Sequence, residues 1–537
     1  MEIKTILFLI LSSLIIIFYP VILEKINGPT PHLPVPQNLP QTQNAPPIVS
    51  GGLPIHPATD ESASSPAVTV IKKEKVIETD LYKMVLSNIG GAIVHFELKK
   101  YTQKNKDGIS KPIDLVSPHG TIHPLALVDE LGKEINIPFQ MDETPLILTA
   151  SRPEGSLELI SLDPDGKKMK KLFRFRNNDY LIDLAIQTEG EHRYRLSTGT
   201  NFGIDHWDAG LMGSIGAVSL IQQETLKEEP GKTEVITQQG SPTWFAIQGK
   251  YFISAIIPKT VNQMGPVFVR KEGLQAISSE VGIGTGRTDF QIYAGPKEFD
   301  RLTALHVQLE ESIDFGWFLW GSWLPVRMVA EPLFYILRFL HKFSNNYGVA
   351  IIVLTLLVKG AFYPITQKSM KSMQAMSALQ PKVTAIRAKW AKDKTKLNVE
   401  LMNLYREEKI NPMGGCLPMV LQIPFFIALF NILYTTIELR GAPFILWIQD
   451  LSAMDPYYVM PVILGISMFV QQYTQPSTMD PVQKKVMLFM PILYTFFSFQ
   501  FPSGLILYWF VSNVLGILQQ YLIAREDALP RRQLGPA

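Results

Sequence analysis

The sequence predicts a multi-pass α-helical membrane protein that carries a large all-β domain outside the bilayer. Three observations support this reading. Five apolar stretches of 16–22 residues crowd positions 347–524. Residues 67–312 instead carry short alternating apolar runs, none long enough to cross a bilayer. A cation, Lys359, sits inside the first of the long stretches. At 537 residues and 46% hydrophobic content the chain has room for both parts. The net charge of +2 gives no reason to expect nucleic acid as a direct partner. A single cysteine, Cys416, excludes an intrachain disulfide framework.

Residues 1–23 open with Met-Glu-Ile-Lys and continue as an apolar run from Thr5 to Leu23, followed by Glu24-Lys25 without a small-x-small cleavage pattern. It reads as an uncleaved N-terminal transmembrane anchor. Residues 24–66 hold ten prolines among Gln, Asn, Ser and Gly, a composition that favours an extended, disordered linker. From 67 to 312, runs such as Leu81–Leu86, Ala92–Leu98, Leu157–Leu162, Lys170–Arg176, Tyr180–Ile186, Phe245–Ile257, Val267–Arg270 and Asp289–Ala294 are broken by turn residues. This spacing predicts a β-sandwich.

Residues 313–346 open with Trp317, Trp320 and Trp323, the aromatics expected at a membrane interface. The stretch from Val326 to Phe343 mixes apolar residues with Arg327, Arg338, His341 and Lys342, so it predicts an amphipathic helix in the headgroup plane. The spanning candidates are Tyr347–Thr366, Gly415–Thr436, Tyr457–Tyr473, Val486–Phe501 and Leu505–Ile523. With the anchor they make six. Tyr457–Tyr473 and Val486–Phe501 reach only about 24–26 Å against a hydrocarbon core of about 30 Å, so either flanking residues join them or the bilayer thins.

The segment 367–412 carries ten basic residues and four acids; the segment 437–456 carries one basic residue, Arg440. The basic segment is therefore cytoplasmic. Six crossings then place both termini inside and the β-domain outside. Within 367–412, Met370, Met373, Met376, Leu379, Val383, Ile386 and Trp390 follow a helical spacing, as do Leu397, Leu401 and Leu404. A helical hairpin is expected, its methionines forming either the seam or an adaptable client surface.

No Walker loop, GxSxG, HExxH or CxxC is present, so no catalytic residue, metal or cofactor is expected. The chemistry centres on Lys359, since a cation in a bilayer costs about 2.5–3.5 kcal/mol on insertion scales. It either snorkels to the inner headgroups or faces a wet groove open to the cytoplasm. Thr355, Gln422, Tyr508, Ser512, Asn513 and Gln519 are the polar companions in the spans. No span holds a carboxylate, which points to a partner supplied by a ligand or client.

The stretches KGAFYPITQKSMKSMQAMSALQPK (359–382), EEKINPMGGCLPMVLQIPFFIALF (407–430), ELRGAPFILWIQDLSAMDPYYVMP (438–461) and FMPILYTFFSFQFPSGLILYWFVSNVLGILQQ (489–520) are specific. With SNIGGAIVHFEL (87–98), TWFAIQGKYFISAIIP (243–258) and YAGPKEF (293–299), they make the chain resemble the YidC/Oxa/Alb family of membrane insertases, in its Gram-negative type. The resemblance implies a five-helix core at 347–524, a periplasmic β-sandwich, an inner-membrane location, and an insertase and folding chaperone rather than an enzyme. It also implies a hydrophilic groove to which Lys359, Thr355, Gln422, Tyr508, Trp509, Ser512 and Asn513 contribute, with Met370, Met373 and Met376 meeting clients. Expected partners are nascent membrane proteins, the Sec translocon and membrane lipids. The tail 525–537 holds only Arg525, Arg531 and Arg532, a weak basis for ribosome binding. The family has arginine where this chain has Lys359. The charge is kept, but the planar bidentate fork is lost. The rival function is a secondary transporter with Lys359 as its coupling residue, which would call for inverted repeats.

Overall fold

The computed structural model describes residues 72–104, 110–162, 166–189, 194–205, 215–259, 264–315, 317–318, 321–408, 410, 417–475 and 481–528. The expected anchor 1–23, the linker 24–66 and most of the tail 525–537 lie outside these residues.

Alternation builds the β-rich domain. In Lys168–Arg176, Met169, Lys171, Phe173 and Phe175 are buried while Leu172 and Arg174 face out, the period of two that a half-buried strand requires. Eight antiparallel strands form the largest sheet, in the order Glu224–Glu228, Gly216–Ile221, Pro242–Gln248, Phe252–Pro258, Gly286–Pro296, Leu181–Thr188, Lys168–Arg176 and Glu154–Leu162. The central Phe252–Pro258 is buried throughout because it is covered on both faces. A five-stranded sheet runs Ser110–Asp114, Ile93–Lys104, Tyr82–Ser87, Glu74–Glu78 and Leu146–Ile147, the last pair parallel. Another runs Glu234–Gln238, Val267–Lys271, Ile277–Gly282, Arg195–Ser197 and Leu127–Val128. One core joins all three, with Tyr82, Phe96, Phe173, Phe202, Trp244 and Tyr293 fully buried in it. The expected single run Phe245–Ile257 is instead a hairpin. The chain turns at 249–251, where the Gly249 amide donates to the Phe252 carbonyl at 2.9 Å.

Lys171 occupies an inward position of its strand and is 0% exposed. Its ammonium donates to the carbonyls of Gly90 (2.7 Å), Leu125 (2.7 Å) and Gly91 (3.3 Å). Gly91 has φ +54°, and a Cβ there would sit 3.1 Å from Lys171 Cδ and 3.0 Å from Leu159 Cδ1. Glycine is what allows the backbone to come this close.

The helical part follows. The expected interfacial element is a helix at Leu324–Ser344, preceded by a two-residue pairing of Trp317–Phe318 with Gly321–Ser322. Val326, Ala330, Leu333, Phe334 and Leu337 form its buried face. Arg327 pairs with Glu311 and Glu331 at 2.7 Å, and Arg338 pairs with Asp300, so its charges tie it to the β-domain's last turns. The next helix spans Tyr347–Ala378, capped by the Asn346 side chain accepting from the Val349 amide at 3.1 Å. It runs twelve residues past the expected end at Thr366, so the methionine stripe belongs to this helix and not to a separate arm. The break comes at Leu379, ahead of helix Gln380–Lys389, because Pro381 has no amide hydrogen to continue the ladder. Helix Lys394–Glu407 completes the hairpin, with Asp393 accepting from the Lys396 amide.

Leu417–Thr435, Val459–Thr474, Pro481–Ser498 and Ser503–Ala528 are the remaining long helices. Among the described residues, the helices of 347–378 and 503–525 are each long and apolar enough to cross a membrane, and three shorter apolar helices accompany them. The β-domain is bolted to the loop after Leu417–Thr435. Ile437 joins the β core, and Arg440 pairs with Asp205 at 3.2 Å. Lys250 Nζ lies 3.4 Å from the centre of the Tyr434 ring, and Asn431 Nδ2 donates to the Phe315 carbonyl at 2.8 Å.

Candidate functional site

Three helices bring the expected polar residues together: Tyr347–Ala378, Leu417–Thr435 and Ser503–Ala528. Ile351, Thr355, Lys359, Phe362 and Thr366 recur every three or four residues, so they share one helix face. Gly504, Tyr508, Ser512, Leu515 and Gln519 repeat the same spacing on the last helix. Two contacts fix the register between these faces. Gln519 Nε2 donates to Thr366 Oγ1 at 2.7 Å, an offset of 153 positions. A Cβ on Gly504 would lie 3.5 Å from Ile351 Cδ1, the same offset. That shared offset sets Thr355 level with Tyr508 and Lys359 level with Ser512.

Each side chain has its own bonding state. Buried Thr355 donates to the Ile351 carbonyl at 2.7 Å, which leaves its oxygen free to accept. The Tyr508 hydroxyl faces the Gln422 side chain of the neighbouring helix. Trp509 packs edge-on against Phe426 and Tyr494, with centroids 5.5 and 5.9 Å away. Phe362 packs edge-on against Phe425 at 4.7 Å, one turn from Lys359 and Gln422 respectively. Ser512 is buried, and its hydroxyl has no hydrogen-bond partner among the described residues. Lys359 is half-buried and has neither an ion pair nor a hydrogen bond among the described residues.

Asn513 is turned away from this face. Its amide donates to Ser467 Oγ at 3.1 Å, on helix Val459–Thr474. Seven residues on, Gln520 accepts from Thr474 Oγ1 at 2.7 Å. Between them a Cβ on Gly516 would sit 2.5 Å from Gln471 Nε2. Asn513 thus opens a polar seam between two parallel helices. Its heptad spacing, Asn513 to Gln520 and Ser467 to Thr474, was the available signal. Met370, Met373 and Met376 are half-buried, with Met373 Sδ 4.0 Å from Gln475 Nε2.

The family model described as 60Kd inner membrane protein matches residues 339–529, and the YidC periplasmic domain model matches residues 74–336. The membrane protein insertase YidC of Syntrophus aciditrophicus is 36% identical over 98% of this chain and 100% of its own. The chain belongs to the YidC family of membrane protein insertases. The YidC of Geobacter sp. strain M21 is 38% identical over 84% of this chain and 86% of its own. A crystal structure of an active YidC insertase with its first transmembrane domain resolved aligns over 84% of this chain and 95% of that one, at 19% identity and a TM-score of 0.36. YidC membership makes the chain an inner-membrane insertase with a periplasmic β-rich domain, and its relatives are named as insertases and not as enzymes.

Proposed function

We propose that this insertase passes short hydrophilic client segments through a groove bounded by Thr355, Lys359, Gln422, Tyr508, Trp509 and Ser512, and releases their apolar helices sideways into lipid. One observation carries the reading: Lys359 lies level with Ser512, and both polar groups lack a partner among the described residues. A desolvated cation demands compensation. A carboxylate in the client's translocated segment supplies it transiently. Without a nucleotide site, the driving force is client hydrophobicity plus the membrane potential, about 2.3 kcal/mol per charge per 100 mV. Asn513 serves the neighbouring seam, outside this face. Met370, Met373 and Met376, at the inner end of the same helix as Lys359, form the adaptable surface that first meets a nascent chain. Six spans with both termini cytoplasmic, folding assistance to clients, docking at the Sec translocon and a minor ribosome contact through the tail complete the proposal.

The test uses one client carrying zero, one or two acidic residues in its translocated tail, inserted by the parent chain and by Lys359→Ala. The variant is expected to lose insertion progressively as acids are added. Equal efficiency for the three clients in Lys359→Ala would remove the electrostatic role.

A further inference from the structure

The segment 441–458 joins helices Leu417–Thr435 and Val459–Thr474 on the β-domain side, and no charge falls between Gly441 and Gln449. Its apex is Leu446, in a turn closed by the Phe444 amide on the Ile448 carbonyl at 2.9 Å. Leu446 is 75% exposed and has φ +53°, a left-handed conformation that a leucine rarely adopts. Such strain persists only where the surroundings fix it. The root of the turn is held from three sides. Asn346 Nδ2 donates to the Phe444 carbonyl at 3.0 Å. The Phe444 ring lies so close over Gly348 that a Cβ there would come within 2.0 Å of it. Trp447 Nε1 donates to buried Asp455 at 3.0 Å, and Asp455 also accepts from the amides of Tyr457 and Met460. Asp450 is occupied by Ser452. Asp455 is therefore buried, and Asp450 is half-buried with its carboxylate bonded locally, while Ile445, Leu446, Met454, Tyr457 and Tyr458 stay exposed.

The exposed side chains continue a lipid-facing stripe. Tyr458, Val462, Ile466, Phe469 and Tyr473 recur at helical spacing on the exposed face of Val459–Thr474. That helix has 16 residues, about 24 Å against a hydrocarbon core of about 30 Å. We propose that the rigid, uncharged tip of segment 441–458 is embedded in the outer phospholipid leaflet, with Ile445, Leu446, Met454 and Tyr458 supplying the apolar height that the short helix lacks. A lipid occupant fits better than a protein one because the patch is continuous with the exposed apolar face of the helix, and no charge falls in the tip from Gly441 to Gln449. The inference rests on the membrane placement of that helix.

The experiment places single cysteines in a Cys416→Ser background of the full chain, labels each with an environment-sensitive nitrobenzoxadiazole dye, and reconstitutes the protein in phospholipid vesicles. Leu446→Cys is the test position. Ile466→Cys, 60% exposed on the helix, reports the span, and Leu131→Cys, 84% exposed in the β-domain, reports water. Leu446 is expected to match Ile466: quenched by doxyl-labelled acyl chains, protected from iodide and blue-shifted relative to Leu131. Quenching by iodide to the level of Leu131 would overturn the proposal, as would protection from both quenchers, which would mean a second copy or another protein covers the loop. Failure of doxyl quenching at Ile466 as well would overturn the span itself and the loop proposal with it. Leu446→Asp next to an Ile445→Cys probe is expected to abolish the doxyl quenching; unchanged quenching would show that the tip does not depend on apolar contact.

Discussion

Two lysines, one in each half of the molecule, are desolvated in opposite ways. In the β-domain, Lys171 is fully enclosed and its three donors meet three backbone carbonyls, two of them freed by the glycine pair Gly90-Gly91. In the helical half, Lys359 is half-buried beside Ser512 with no bond among the described residues. Burial pushes the Lys171 ammonium down to about 7, and the negative charge of Glu134 works the other way by favouring its charged form. A cation whose hydrogen bonds close within the chain acts as a staple. One whose hydrogen bonds stay open is available to whatever passes. At Lys171 the β-domain closes a full set of cation hydrogen bonds in folding, whereas the proposed groove leaves the set at Lys359 open.

Changes at the open lysine produce the largest expected effect. Lys359→Glu faces an acidic client with a like charge, worth about 4 kcal/mol at 4 Å and an effective dielectric near 20. Insertion of a doubly acidic client should fall by at least about tenfold, while Lys359→Arg keeps charge and reach and should insert normally. Protease protection of the translocated tail measures both. Normal insertion by the Glu variant would erase the contrast between the lysines.

The closed lysine should respond in stability and not in insertion. Lys171→Met leaves three buried carbonyls without a donor and is expected to cost the β-domain about 2–3 kcal/mol, read as a lower urea midpoint of the full chain in detergent. Lys359→Ala should leave that midpoint unchanged. A matching shift in both variants would mean that Lys359 is also a staple.

A smaller effect is expected from pH. Lys297, buried beside Gln248, is pushed down to about 7 from its ordinary 10.5 by burial and then by repulsion from Lys227. Between pH 7 and 10 the unfolded chain therefore binds more protons than the folded one, so stability rises with pH across that window and is lowest below it. Thermal unfolding of the β-domain should move upward from pH 7 to 9, and Lys297→Met should lessen the rise, leaving the part that Lys171 supplies. A falling profile that becomes less steep in Lys297→Met would refute the sign.

The smallest change belongs to the helix seam. Asn513→Ala removes one interhelical hydrogen bond, worth about 0.6 kcal/mol in a membrane. Thermal stability should drop slightly with insertion intact. Lost insertion at unchanged stability would return Asn513 to the client path.

The sequence by itself determined what is periodic and local. Alternation located the β strands, apolar length located the helices, and spacing aligned Thr355 with Lys359. It also marked Lys359 as the cation to explain, because no carboxylate lies in any apolar stretch. Tertiary structure decided where polar groups find partners. Whether Asn513 faced Thr355 or Ser467 depended on how two helices, 46 positions apart in sequence, rotate against each other. The end of helix Tyr347–Ala378 was set by Pro381, not by the point where the apolar run stops. The sequence carries no sign of the Lys171 role because its strand alternates normally; only the approach of Gly90 and Leu125, 81 and 46 positions away, shows it is satisfied. Hydrophobic burial follows a pattern the chain carries in each segment, whereas a hydrogen bond needs one particular atom at about 3 Å, and long-range packing alone delivers it.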